Sequence, residues 1–338
     1  MKKTLGILAL MVGVSLISAL SARAQLNASD SINYPAGAYI IGQASGSSGW
    51  LTMATSGNGL AGGNWSSKSD VGGGFTGTGA NPGSAIVAGL NYTDGNGNVL
   101  TTSGNSLSVI TTTSTTAQPE LISSSTFGVL GAANTAAPGT LWMSYLWQGL
   151  NTTGSGSGLY RQATILFATG GVSGTASSGS ERLDVGMPNI SAVNQGTVLP
   201  NISLWDSGGL GQHYTSTAPL QSGVSANNGL TAFILMQFIV DNSTSTADTV
   251  NVWINPILGG TLGAPNLTLA SQELSAINAI RVASQSLNTT YGTVGGEQQI
   301  DEIRIGNTVL DVEPVPEPTI VALAGLGSLA LLMLRRKN

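Results

Sequence analysis

The sequence predicts an all-β sandwich, and three observations predict it. Only 8% of the 338 residues are charged, while glycine alone supplies 47. Solubility then falls to the hydroxyls and amides of Ser, Thr and Asn, a composition that disfavours helices, which draw on Ala, Glu, Lys and Leu. Short apolar stretches recur between clusters of turn-forming residues, the pattern of many short strands. One stretch, Thr231 to Val240 (TAFILMQFIV), is apolar almost throughout, as a central strand covered on both faces should be.

The N-terminus opens on a different chemistry. Lys2 and Lys3 form a positive start, and Leu5 to Leu20 supply an apolar stretch. Ala22-Arg23-Ala24 then gives the small-x-small pattern of signal-peptide cleavage. Residues 1–24 are therefore expected to be a signal peptide read by Sec-type export machinery, with Gln25 as the first mature residue. The exported body runs over 25–314.

Within the body, Ser31 to Gly79 is turn-rich, with short apolar stretches at Ala38–Ile41 and Trp50–Met53. Ser84 to Leu90 reads as a strand. Asp94-Gly-Asn-Gly-Asn98 follows as a hairpin turn, since Asp-Gly and Asn-Gly tolerate positive φ. Residues 101–118 are rich in Thr and Ser, with Leu107, Val109 and Thr111 on one strand face. Leu141 to Trp147 is an aromatic strand, and Thr152 to Gly158 a flexible link. Arg161 to Ala168 and Thr231 to Val240 are strands. Val250, Val252 and Ile254 alternate with polar neighbours and predict a half-buried strand. Leu274 and Ile277 have helical spacing and predict one short helix over Gln272 to Ile280. Ile300, Ile303 and Ile305 mark a final strand.

The C-terminus mirrors the N-terminus. Thr319 to Leu334 (TIVALAGLGSLALLML) carries no charge and no polar face. As a helix it would reach about 24 Å, a little short of the ~30 Å hydrocarbon core. Snorkelling basic stems close such a gap. Arg335, Arg336 and Lys337 follow as a cytoplasmic stop, because positive charge resists translocation. Residues 319–334 are thus expected to be a transmembrane helix inside an anchor segment, 315–338, with the body on the far side of the inner membrane.

Pro316-Glu317-Pro318, then an apolar helix, then a basic terminus, resembles the PEP-CTERM sorting signal of Gram-negative bacteria. The resemblance covers residues 315–338. It implies an exosortase as processing partner, membrane anchoring before processing, and then a place at the cell surface or in an extracellular polysaccharide matrix.

In the body, five basic residues (Lys68, Arg161, Arg182, Arg281 and Arg304) face 15 acidic ones, a formal charge of −10. Nucleic acid is excluded as a partner, because phosphate binding needs clustered Lys and Arg. Cysteine is absent, which excludes disulfides, thiolate metal sites and cysteine nucleophiles.

Catalytic patterns are also missing. Hydrolase triads need an imidazole, and His213 is the one histidine. Glycanases need two carboxylates flanking the scissile bond. Glu181 and Asp184 are three apart, so on a strand they point to opposite faces. Asp311-Val-Glu313 has the right offset but lies at the exit of the domain, where solvation is expected. No cofactor is expected. Calcium is the one cation with any opening: Asp94-x-Asn96-x-Asn98 starts like an EF-hand loop, yet Val99 and Asn105 occupy its Gly and Glu positions, so a plain hairpin is the better reading. Asp301 and Glu302 are metal candidates of the same kind, read more simply as a strand-edge pair balanced by Arg304. Trp65, Trp205 and His213 are the candidate carbohydrate contacts. Most of the six tryptophans should be core.

Asn33-Tyr-Pro-Ala-Gly37 with Gly49-Trp50, Thr140-Leu-Trp-Met-Ser-Tyr145, Glu181-Arg-Leu-Asp-Val-Gly186, Asp248 to Asn255 and Ile300-Asp-Glu-Ile-Arg-Ile-Gly306 occur in the order found in exported concanavalin A-like (LamG-type) domains. This resemblance spans most of the body and implies a jelly-roll β-sandwich. That fold serves lectins, glycanases and inert spacers alike. The expected function is a non-catalytic structural or carbohydrate-adhesive surface protein. The alternative is a glycan-active enzyme, a glycoside hydrolase or lyase, on the same scaffold.

Overall fold

The structure, a computed structural model, describes residues 26–36, 66–67, 84–100, 102–110, 116–117, 119–122, 139–150, 161–168, 181–187, 201–206, 213–219, 231–241, 248–272, 274, 277, 279–286 and 297–313. These residues form two eight-stranded antiparallel sheets. The first holds β1 (Leu26–Asp30), β3 (Ser84–Ala88), β4 (Asn105–Ile110), β7 (Gly139–Leu150), β12 (Ala232–Val240), β13 (Asp248–Ile254), β14 (Leu267–Gln272) and β16 (Glu297–Gly306). The second holds β2 (Ser66–Ser67), β5 (Thr116–Ala117), β6 (Pro119–Ile122), β8 (Arg161–Ala168), β9 (Glu181–Met187), β10 (Asn201–Asp206), β11 (His213–Pro219) and β15 (Ala279–Ser286). A four-residue helix, α1 (Val309–Val312), closes the described chain.

The strand orders are β14-β13-β12-β7-β16-β4-β3 and β11-β10-β9-β8-β15-β6-β2. The chain crosses repeatedly from one sheet to the other, so the all-β jelly-roll sandwich is what forms. Its core lies between the layers. Phe167 of β8 meets Phe238 of β12 edge to face across the gap, with ring centroids 5.3 Å apart. Ile165, Leu183, Val185, Ile280 and Val282 of the second sheet share that core with Met143, Tyr145, Ile234, Met236, Val250 and Ile305 of the first.

Strand β12 is buried at nearly every position, as its continuous apolar run requires. The cause is a second apolar layer on the outer face of the first sheet. Leu146, Phe233, Leu235 and Trp253 are covered there by Leu90, Tyr92, Leu100, Leu258 and Val312. Trp253 is therefore 7% exposed, where the alternation in β13 predicted a half-buried strand. Trp142 and Trp253 stack with centroids 5.6 Å apart.

Two expectations are corrected. Among the described residues of the expected helix, Leu274 and Ile277 are not helical. Strand β14 ends at Gln272 and β15 starts at Ala279. The two apolar residues are buried, and the Ile277 amide donates to the Leu274 carbonyl at 3.2 Å. Asp248 Oδ2 takes the Leu274 amide at 2.7 Å. Burial in the core, rather than helical hydrogen bonding, explains the apolar spacing.

The second correction concerns β16, which is internal and not an edge. It pairs with β7 along one side and with β4 then β1 along the other. Between Asp301 and Arg304 the register against β7 shifts. A bulge there lets Ile300, Ile303 and Ile305 all reach the core despite an offset of three.

Candidate functional site

At the β16 bulge, Asp301 and Glu302 are both buried, and Glu302 has φ 50. Buried carboxylates require donors, and here each is tied to backbone. Asp301 accepts from the Leu90 amide (2.9 Å) and the Glu302 amide (2.8 Å). Glu302 accepts from the Ser103 amide (2.6 Å) and pairs with Arg304 at 3.0 Å. The expected balance by Arg304 is present. The carboxylates staple the segments after β3 and before β4 onto the sheet. Burial pushes the Asp301 carboxyl up to about 8, helped by the charges of Glu302 and Asp30 and opposed by the two amides. Gly104 belongs to the same fastening: at φ +86, a Cβ on it would lie 2.6 Å from the Ser31 carbonyl.

The Asp94 hairpin forms as read, with Thr93 bridged to Val99. Asp94 Oδ1 accepts the amides of Asn96 and Asn98, and Oδ2 accepts Asn98 Nδ2 (each 2.8 Å) and the Leu258 amide at 2.9 Å. Burial raises this carboxyl, but the Asn98, Leu258 and Asn96 donors outweigh it and hold the group below its ordinary value. Both oxygens are turned to N–H donors, which is the chemistry of a loop staple. Burial, and then the Asp94 charge, push the neighbouring Tyr92 phenol up. Among the described residues no group of three or more His, Asp or Glu is arranged to hold a metal.

The exit of the domain departs from expectation. Glu313 is 3% exposed rather than solvated, and it accepts the Gly259 amide at 2.7 Å. Burial raises its carboxyl, opposed by that amide. Asp311 turns back to accept the Asn307 and Thr308 amides at 3.0 and 2.7 Å. The offset that suggested a carboxylate pair instead anchors α1 to the second apolar layer.

The second sheet brings together residues that the sequence did not. Alternate positions Ile165, Phe167, Leu183, Val185, Ile280 and Val282 reach the core, so the intervening positions lie on the other face. There the register runs Glu120–Arg281–Leu166–Asp184–Trp205–Tyr214 across six strands. Trp205 lies in this row. His213 pairs with Asp206, one position along, and so alternates with it. Asp184 is buried.

A register shift in the β8–β9 pair adds a further correction. Asp184 pairs with Leu166 and Glu181 with Ala168. One extra residue on β9 therefore puts Glu181 and Asp184 on the same face, where regular alternation predicted opposite faces. Of the expected core tryptophans, Trp147 and Trp253 are buried and Trp142 is half-buried.

Trp65, the cleavage residues Ala22 and Ala24, the sorting residues Pro316, Glu317 and Pro318, the anchor 319–334 and the stop Arg335, Arg336 and Lys337 lie outside the described residues. So do the apolar stretches at 38–41 and 50–53, Thr111, and the link at 152–158. Among the described residues no helix is long and apolar enough to cross a membrane.

Residues 314–337 match the PEP-CTERM protein-sorting motif. The motif implies export in a bacterium, a membrane-anchored sorting signal and an exosortase as processing partner. No curated protein matches the chain. Among solved structures, it is similar to an endo-β-1,4-glucuronan lyase from the fungus Trichoderma reesei (12% identity, 68% of this chain and 90% of that one, TM-score 0.37). The potassium-bound carbohydrate recognition domain of Emp46p is similar at 8% identity, covering 64% and 88%, with a TM-score of 0.39. Alginate lyase Aly36B is similar at 13% identity, covering 67% and 98%, with a TM-score of 0.36. Likenesses this distant carry neither ligand nor activity to this chain.

Proposed function

We propose that this chain is an exported surface or matrix protein whose sandwich is non-catalytic and adheres to carbohydrate through the row on the face of its second sheet opposite the shared core. The observation that supports the reading is that row: Trp205 and Tyr214 in register beside Asp184, with Arg281 and Glu120 further along. Sugar rings are held by aromatic faces together with side chains that form hydrogen bonds. Delivery follows the N-terminal signal, Sec-type export and the sorting motif, with extracellular polysaccharide as the partner. His213 and Trp65 are kept as candidate contacts. Calcium is given no role.

The test is retention of purified protein on polysaccharide beads and glycan arrays. Trp205→Ala should cut retention, and unchanged retention would remove the row from consideration.

A second reading, a glycoside hydrolase or lyase, is favoured by one observation: Glu181 and Asp184 share a face. Paired carboxylates on one face are what acid–base chemistry on glycans needs. Polysaccharide turnover lost in both Glu181→Gln and Asp184→Asn would establish that reading over the first.

A further inference from the structure

Four large apolar side chains are exposed among the described residues: Val99, Ile239, Ile257 and Leu310. Three of them sit on one cap over the outer face of the first sheet, each on a different element. Val99 (56% exposed) is on the Asp94 hairpin, Ile257 (37%) on the 255–260 turn, and Leu310 (62%) on α1. These elements are fastened together. Asp94 holds the Leu258 amide, and Glu313 holds the Gly259 amide.

The same fastening ties up the charge of the cap. It contains no Lys or Arg over 89–100, 255–265 or 307–313, and its three carboxylates are all committed to backbone amides. In a body of formal charge −10, this face presents Asn, Thr, Gly, Pro and three apolar side chains. It is also the face from which the anchor departs, because the sorting motif begins at residue 314, immediately after Glu313.

We infer that the cap is a membrane seat: while the tail is anchored, Val99, Ile257 and Leu310 rest in the interfacial layer of the bilayer. This rests on the proposed membrane anchoring of the tail. The chemistry selects zwitterionic lipid. Carboxylates already tied to backbone amides lose little further hydration on seating, their negative charge disfavours anionic headgroups, and scattered apolar side chains insert at the headgroup boundary. Only residues 314–318 separate Glu313 from the expected membrane helix, a reach of at most about 18 Å, so the cap cannot move far from the lipid. The opposite sheet is thereby held away from the membrane, toward whatever the protein contacts. Each apolar side chain adds only a small affinity, so the seat orients an anchored protein rather than recruiting a free one.

The absence of cysteine makes single-site labelling direct. Full-length Val99→Cys, Ile257→Cys and Leu310→Cys, each carrying an environment-sensitive fluorophore, are reconstituted into phosphatidylcholine vesicles. Ser286→Cys, at the end of β15 in the opposite sheet, is the reference. Unchanged melting of each labelled protein confirms that it is folded. The expected result is a blue shift at the three cap sites, with loss of signal to a lipid-borne quencher, and neither change at residue 286. If the protein partitions into vesicles but the cap labels behave as the reference does, the seat is overturned while anchoring stands. If full-length protein fails to partition at all, anchoring falls and takes the seat with it.

Discussion

Asp301 Oδ2 accepts the Leu90 amide at 2.9 Å, joining β16 to the segment after β3 across 211 positions of sequence. Burial keeps this carboxyl protonated well into the neutral range, to about 8. In the unfolded chain it titrates near its ordinary value, so between about pH 4 and pH 8 the folded state holds a proton that the unfolded state has released. Stability from this group is fully present below about pH 4, is lost as pH rises through about 8, and is level above that. Urea midpoints measured from pH 5 to pH 9 should fall by the equivalent of a few kcal/mol at most. Asp301→Asn, which stays neutral and keeps an acceptor for Leu90, should flatten that slope.

Asp94 behaves in the opposite sense. Its carboxyl is held below its ordinary value by amide donors, so its contribution is present above about pH 4 and is lost as pH falls through the depressed value. Asp94→Ala strips an acceptor from Asn96, Asn98 and Leu258 together. The melting temperature should drop by several degrees, and amide exchange should rise at Leu258 and Gly259 before it rises in β12. Asp94→Asn should recover part of the loss.

The sequence was most legible where local chemistry alone decides structure. Asp94 to Asn98 could only be a tight turn, and the apolar run ending at Val240 could only be an inner strand. The Trp205 strand and its partner, NISLWD and HYTSTAP, were not read: Ile202 and Leu204 alternate over too few positions to stand out, and HYTSTAP is mostly Ser and Thr. The cap was hidden for another reason. Leu258 reaches Asp94 across 164 positions, and no window of sequence contains both. Bulges account for the rest. At β16 the spacing of Ile300, Ile303 and Ile305 already carried the anomaly, since three buried residues cannot share a face at that offset without an extra residue. At β9 the offset of Glu181 from Asp184 carried no such sign, because polar residues do not report which face they occupy.

Gly306 marks the turn from β16 into α1. A Cβ there would collide with Asp311 Cβ, and Asp311 is the residue that caps the helix. Gly306→Ala should therefore cost about 1–3 kcal/mol through forced displacement. The displacement would free Asn307 and Thr308 and loosen Val312 from the outer apolar layer. Chemical denaturation reads the loss. The same variant should also admit protease at 307–313 sooner than the parent does. A variant as stable as the parent would mean that α1 can shift without penalty and that the cap is less rigid than its hydrogen bonds indicate.

Trp147 is the largest fully buried side chain, and its Nε1 donates to Gln298 Oε1 at 2.8 Å between the sheets. A glutamine in an otherwise apolar layer is tolerated only while its polar atoms are matched. Here the match fixes the register of β7 against β16, since a slip of β7 by one residue would move the indole to the other face and leave Gln298 behind. Trp147→Phe keeps most of the apolar area but removes the donor. It should cost about 1–3 kcal/mol for the exposed acceptor, with a further loss from the smaller ring. Replacing both, Trp147→Phe with Gln298→Leu, removes donor and acceptor together. The double variant should be more stable than the first single variant, because it also removes the acceptor that lost its indole donor. Denaturation midpoints of the parent, both single variants and the double close the cycle. A coupling energy near zero would mean that the indole contributes by packing alone and that Gln298 draws its support from elsewhere in the strand.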